Sequence, residues 1–231
     1  MNANAPGSGK SDQQTWPMGE GPAGSMLRAI EELADTFLSE QLKGMFDNAN
    51  TLLFEMADQA KNNAEQRLYL DTMRIVRLEQ PRLLRTFQES LRQAFATMHL
   101  EHAAAETDLE DLSNWSMQKA EDVEERIVLS NLESKVEGMF KNELYELEQR
   151  LASMDPTGSG TVPPNFMTPA HLFSAFRDTL HALEADFQIK RVIYKLFEQT
   201  VVGNLGQVFT GANKLLADGG VEPARPETLM R

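Results

Sequence analysis

The chain has 231 residues, 41% of them hydrophobic, with 35 Asp and Glu against 22 Lys and Arg and a formal net charge of −13. That length allows one or two domains, and the acidic balance argues against a general nucleic-acid binder or a protein held on an anionic membrane, since both need surplus Lys and Arg. The absence of cysteine rules out disulfides, thiolate metal sites and Cys nucleophiles together, and it fits a reducing compartment.

Aromatic residues make up only 7% of the chain, so aliphatics and the 12 Met are expected to fill the core. No apolar run approaches the roughly 18 residues needed to span a bilayer. The N-terminus lacks the basic-then-apolar pattern of a secretory signal. The expected location is the cytoplasm, with no membrane and no nucleic-acid partner.

Residues 1–25 are rich in Gly, Pro, Ser, Asn and Gln and should form a disordered tail, with Ser25 placed to cap the first helix. Residues 26–154 form a long-helix region. From Leu27 to Ala60, the residues Leu38, Leu42, Met45, Ala49, Leu52 and Met56 step 4-3-4-3-4, the spacing of a bundle seam. Phe46 and Leu53 widen the stripe towards a globular bundle. Lys61-Asn62-Asn63 either breaks this helix or belongs to its polar face.

A second helix is expected from about Ala64 to Ala104, kinked or restarted at Pro81, because proline lacks a backbone donor and clashes with the preceding turn. Residues 105–116 read as an acidic connection. A long helix from about Met117 to Met154 follows, with a seam of Leu132, Val136, Phe140, Leu144, Leu147, Leu151 and Met154. Residues 155–168 are a Pro/Gly loop, and Thr168-Pro169 reads as an N-cap with proline at the first helical position.

Helices over about 169–184 and 187–217, the second stopping near Gly219-Gly220, make a C-terminal pair (169–220) that packs on the first region. Residues 221–231 form a polar tail. No segment alternates with period two. The expected fold class is all-α: a bundle of about five or six helices, several long and amphipathic, with disordered N- and C-terminal tails.

One pattern occurs twice. Leu42, Met45, Phe46, Ala49, Asn50, Leu52 and Leu53 recur at the same spacing as Leu205, Val208, Phe209, Ala212, Asn213, Leu215 and Leu216. On a helix the apolar members share one stripe with the Asn at its edge. Such a stripe is able to pair within a chain or between chains. Leu42, Phe46, Leu53, Gly203, Gly206, Phe209 and Leu216 are therefore candidate helix-packing or self-association positions. Gly203, Gly206 and Gly211 suggest close helix approach or a hinge, because each is unfavourable in a helix by about 1 kcal/mol relative to Ala.

Charge is segregated. From Glu101 to Gln149 there are 14 Asp and Glu against 4 Lys and Arg, a solvated face or a docking surface for a basic partner. Arg67, Arg74, Arg85 and Arg92 are spaced 7, 11 and 7 apart and fall within about 20° of one line on an unbroken helix. They form either a solvated basic face or a ridge for an anion or acidic partner.

The chemical inventory is otherwise empty. Gly9-Lys10-Ser11 ends like a phosphate-binding loop, but position 4 is Asn where glycine is required and no strand precedes it. The stretch from Asp155 begins like a calcium loop but has Phe166 at its twelfth position, where a bidentate Glu belongs. His99 and His102 lack a third ligand. The Glu-x-x-His of di-iron bundles is absent, with Asp178-x-x-His181 the nearest form, and His171 and His181 read as ordinary helix positions. Gly-x-Ser-x-Gly is also absent. No catalytic, cofactor-binding or metal-binding residue is assigned, and no cofactor is expected.

The segment Phe46-Asp47-Asn48-Ala49-Asn50-Thr51-Leu52-Leu53-Phe54-Glu55-Met56-Ala57, followed by Asn62, Gln66 and Leu70–Arg74, resembles the opening of a proteobacterial family of unknown function whose members are often labelled "thymidine phosphorylase". A second match runs through Pro169, Leu172, Phe173, Ala175, Phe176 and Leu180 into Lys190–Phe197, then Leu205, Phe209, Asn213, Leu215, Leu216 and Gly220–Pro223. The resemblance covers about residues 27–223 and points to the N-terminal helical part of longer proteins.

The resemblance implies bacterial regulation, linked to cyclic-di-GMP or motility circuits. The Lys-x-Ser and Thr-Gly-Gly elements of the phosphorylase class and the Asp/Asn-x-Ser-x-x-Gly element of a PilZ-type receptor are missing from this chain. The expected function is a non-enzymatic helical adaptor that binds another protein, or a second copy of itself as a homo-oligomer. The alternatives are a small-molecule or nucleotide sensor using the Arg ridge, and a helical-bundle metalloenzyme.

Overall fold

The computed structural model describes residues 22–104, 120–154 and 167–224, with side chains at 23–95, 121–154 and 167–224. The Gly9-Lys10-Ser11 and Asp155–Phe166 stretches, the 105–116 connection and the side chains of His99 and His102 lie outside the described residues. Among the described residues every regular element is helical, as expected of an all-α bundle.

The first two helices form an antiparallel hairpin. α1 (Pro22–Asp58) begins inside the segment expected to be a tail, and Ser25 lies within the helix rather than at its cap. The turn ends at Asn62, whose Oδ1 accepts from the Glu65 backbone N–H at 2.9 Å while Glu65 Oε2 accepts from the Lys61 N–H at 2.9 Å. Lys61–Asn63 therefore breaks the helix through a reciprocal cap.

α2 (Asn63–Ala104) runs through Pro81 without interruption, so the expected restart does not occur. Pro81 is exposed. Its ring faces solvent, where the carbonyl it leaves unpaired reaches water. Gln88 donates to Ser39 at 3.3 Å, Gln80 to Asp47 at 2.9 Å and Arg77 to Asn50 at 3.3 Å. These three bonds hold one constant register along the hairpin.

The helix expected over 117–154 is split. α3 (Ala120–Met139) gives way to α4 (Lys141–Ser153) at Phe140, which has φ −120° and ψ 31°. The Phe140 ring packs 5.8 Å from that of Phe209 and occupies the space above Gly206, where a Cβ would lie 2.6 Å from its Cε1. Gly138, a poor helix former, precedes the break.

α5 (Pro169–His181) is capped by Thr168, as expected, and ends before residue 184. The helix expected over 187–217 is also divided, into α6 (Phe187–Thr200), a single 3-10 turn (Val202–Asn204) and α7 (Gly206–Asp218). The described residues thus hold seven α-helices where five or six were expected.

α7 ends in a Schellman-type turn. Gly220 has φ 81°, and the Val221 N–H bonds back to the Leu216 carbonyl at 2.9 Å. Residues 221–224 are docked rather than loose. Ala224 N–H donates to the Gln149 carbonyl, Ser153 Oγ donates to the Glu222 carbonyl, and buried Arg150 donates to the Val221 carbonyl while pairing with Glu146 at 2.7 Å. The expected C-terminal tail is therefore ordered over its first four residues.

A continuous hydrophobic core runs through both halves of the chain. Its centre is aromatic despite the composition. Phe176 stacks on Phe197 at 4.1 Å and meets Tyr194 at 5.6 Å and Phe87 at 6.4 Å. Among the methionines whose side chains are described, Met45 and Met167 are buried, Met26, Met56, Met73 and Met154 are half-buried and Met139 is exposed, so these methionines fill less of the core than composition suggested.

Candidate functional site

Both copies of the repeated stripe face inward. Leu42, Phe46, Leu53, Phe209 and Leu216 are all at most 1% exposed. They are buried within the chain and offer no self-association face, which corrects that half of the expectation and leaves helix packing. The copies do not pair with each other. Gly211 lies against Leu33 and Asn204 donates to Gln41, so α7 lies along α1 upstream of the first copy. The first copy faces α2.

The two Asn residues at the stripe edges do different work. Asn50 accepts from Arg77 at the surface, whereas buried Asn213 donates to the Glu143 carbonyl at 2.8 Å and ties α7 to α4. Of the glycines, Gly206 and Gly211 mark close approaches, to Phe140 and Leu33 respectively. Gly203 has open space where a Cβ would stand and is exposed, so it is not a packing position.

The Arg ridge stands on the outer side of α2. Arg67, Arg74, Arg85 and Arg92 are all exposed. With Pro81 accommodated, the 25 residues from Arg67 to Arg92 span about 37 Å of helix. Leu78 lies on the same line, eleven residues after Arg67 and seven before Arg85, and is 68% exposed. Sequence reasoning missed Leu78, although its spacing repeats that of the arginines.

A second constellation was also missed. Glu125 on α3 is 6% exposed. Its Oε1 accepts from the Tyr194 hydroxyl at 2.9 Å, and its Oε2 lies 2.5 Å from His181 Nε2. One carboxylate thus joins α3 to the end of α5 and the middle of α6. Burial and the neighbouring Glu125 charge push the Tyr194 hydroxyl far above the ordinary tyrosine range. His181 is a tethered residue rather than an ordinary helix position. Glu125 had a signal: it continues the Leu129, Leu132, Val136 seam backwards with a 4-3-4 step, inside a run that otherwise faces water.

Beside this network lies a cleft of about 650 Å³ between the start of α2, the middle of α3 and α6. Leu68, Leu132 and Val192 contribute apolar walls, and Arg191 and Lys195 stand one turn apart at its edge. Lys195 Nζ lies 6.0 Å from the centre of the Tyr69 ring. Glu65 and Glu198 line the cleft but are already engaged. Glu65 accepts from the Lys61 N–H and the Tyr69 hydroxyl, which hold its carboxyl below the usual carboxylate range. Glu198 pairs with Lys135 at 2.7 Å.

Among the described residues no three His, Asp or Glu side chains converge as a metal site. No described helix is long and apolar enough to cross a membrane. The geometry defines an all-helical bundle with a basic outer ridge and a polar cleft. A family model described as "Protein of unknown function (DUF1631) N-terminal domain" matches residues 22–220, and the chain belongs to this family. No curated protein and no solved structure matches it.

Proposed function

We propose that the chain is a non-enzymatic helical interaction module, an adaptor whose recognition surface is the Arg67–Arg92 ridge with Leu78 at its centre. The observation that carries this reading is the exposure of Leu78 midway along a row of exposed arginines. Arginine is enriched among interface hot spots, and an exposed leucine between arginines gains by being covered. The occupant that fits is an acidic protein surface with an apolar socket. A small-molecule sensor on this ridge is less well supported, because the four arginines line one helix and none of them lines the cleft. The setting we assign, on the resemblance described above, is regulation in the bacterial cytoplasm within cyclic-di-GMP or motility signalling.

The test is affinity capture from the native cytoplasm with the full chain and with two variants, Leu78→Asp and the double substitution Arg74→Glu/Arg85→Glu. A partner held by the wild type and lost by both variants supports the reading. A partner held equally by all three overturns it, and so does recovery of the bait alone. Sedimentation at two concentrations, run on the same variants, shows whether the partner is a second copy.

A further inference from the structure

We infer that the cleft between α2, α3 and α6 is a binding site for a small organic anion. The ligand class is a carboxylate or phosphate monoester head on an apolar body. This goes beyond the adaptor reading and uses different residues, on the side of α2 that carries Leu68 and Tyr69 rather than the arginine line.

The partners of each charged group set the sign of the ligand. Two carboxylates and two cations line the cleft, which is neutral by simple count. The carboxylates are not free. Glu65 has both oxygens occupied, by the Lys61 N–H and the Tyr69 hydroxyl, and Glu198 is ion-paired to Lys135. The Tyr194 hydroxyl is turned to Glu125. Arg191 and Lys195 form no ion pair within 4 Å with any described residue; Lys195 stands over the face of Tyr69 and acts on Glu65 only through space. Glu65 keeps its negative charge, but with Lys135 offsetting Glu198 the two cleft cations outnumber it and leave one net positive charge, in a chain whose total charge is −13.

The guanidinium of Arg191 offers the planar fork that matches a carboxylate or phosphate, and Lys195 adds a point charge one turn away. Behind them, Leu68, Val128, Leu132 and Val192 supply apolar surface. A volume of about 650 Å³ is within the range of small-ligand sites, which run from about 300 to 1,000 Å³. A bare inorganic anion would leave that apolar wall unused.

The experiment is calorimetric titration of the full chain with five probes: octanoate, butyrate, octyl phosphate, octanol and octylammonium. Octanoate and octyl phosphate should bind saturably at one site, and the tighter of them identifies the head group. Butyrate should bind more weakly, by about threefold to fourfold for each methylene it no longer buries. Octanol and octylammonium should be at least tenfold weaker than octanoate.

Arg191→Gln and Lys195→Gln should each cost about tenfold in octanoate affinity, while Arg74→Gln on the ridge should leave it unchanged. Both cleft cations are exposed, so the variants fold, and their thermal midpoints in the absence of probe verify this. Equal binding of octanol and octanoate overturns the proposal. So does octanoate affinity indifferent to Arg191 and Lys195, or saturable binding by none of the five. The ridge variants leave these results untouched, so this site and the adaptor reading fail separately.

Discussion

Replacing Glu125 by alanine tests how α3, α5 and α6 are held together beside the cleft. Glu125 is 6% exposed and Tyr194 is 1% exposed, with 2.9 Å between the phenol and the carboxylate. In Glu125→Ala the Tyr194 hydroxyl keeps its burial and loses its acceptor, which costs about 1–3 kcal/mol. The space left by the removed side chain adds about 1 kcal/mol. The His181 contact adds little, because that side chain is 53% exposed and regains water. The expected loss is about 2–4 kcal/mol in urea unfolding.

A double-mutant cycle separates this account from simple loss of packing. Tyr194→Phe removes the hydroxyl that Glu125→Ala would orphan. The double variant should be less destabilised than the sum of the singles by about 1–2 kcal/mol. Losses that add to within about 0.5 kcal/mol would refute the reasoning.

The same pair sets an alkaline signature. Tyr194 stays protonated in the folded chain well above the ordinary value of 10.0, held there by burial and by the Glu125 charge and hydrogen bond. Its contribution is therefore constant below pH 10. Above that the unfolded chain gives up the proton while the folded chain keeps it, so stability falls by about 1.4 kcal/mol per pH unit. Tyr194→Phe should remove this slope relative to wild type.

Three further outcomes are expected. Pro81→Ala should stabilise the chain by about 2 kcal/mol, because an exposed proline inside a continuous helix costs about 3 kcal/mol and repays up to about 1 through the unfolded state; a thermal midpoint raised by about 4–8 °C is the readout. Gly206→Ala should cost about 1–3 kcal/mol, since its Cβ meets the Phe140 ring that Phe209 holds in place, whereas Gly211→Ala meets only the end of the Leu33 side chain and should stay within about 1 kcal/mol of wild type, both read by urea unfolding. Glu65 contributes stability above the ordinary carboxylate pKa that is lost as pH falls through its lowered folded value, because the Lys61 N–H and the Tyr69 hydroxyl favour its ionised form, so Glu65→Gln should flatten the acid side of the stability curve.

What the sequence made legible was periodicity. Leu38, Leu42, Met45, Ala49 and, in the second copy, Leu205, Val208, Phe209, Ala212 and Leu216 read as buried and are buried, with Leu215 half-buried beside them, because a 3.6-residue period reports one face of a helix directly. Helix ends with side-chain signals were also readable, as at Thr168-Pro169 and Gly219-Gly220. The breaks at Phe140 and Val201–Leu205 were not, since each arises where a tertiary neighbour competes with the helix. Phe140 is an apolar seam residue in sequence, and only the presence of α7 decides that its ring leaves the line. The restart at Pro81 is absent for the opposite reason. The proline penalty is real but smaller than what the packed hairpin gains on the other side of α2, through residues such as Val76, Leu83 and Phe87.

The candidate sites divide in the same way. The arginine ridge depends on one helix and was legible from spacing alone. The cleft and the Glu125 network join residues 65 to 198 across four helices, and no local pattern brings Tyr69, Asn131 and Arg191 together. Glu125 hid inside an acidic run, where the only difference from its neighbours is phase.

Both cationic features sit in a chain of net charge −13, and that sets how each one works. An anion approaching from afar meets repulsion, and only within about a Debye length, about 10 Å at 0.1 M salt, do the local arginines dominate. Lowering the salt to 0.01 M extends the reach of the whole-molecule field to about 30 Å and strengthens the repulsion. Association of an acidic partner with the ridge should therefore accelerate as salt rises from 0.01 M towards 0.1 M, then slow as the contact itself is screened. A purely basic binding protein shows only the second phase. Stopped-flow association rates that fall monotonically over this range would mean that the arginines do not act against an opposing global charge.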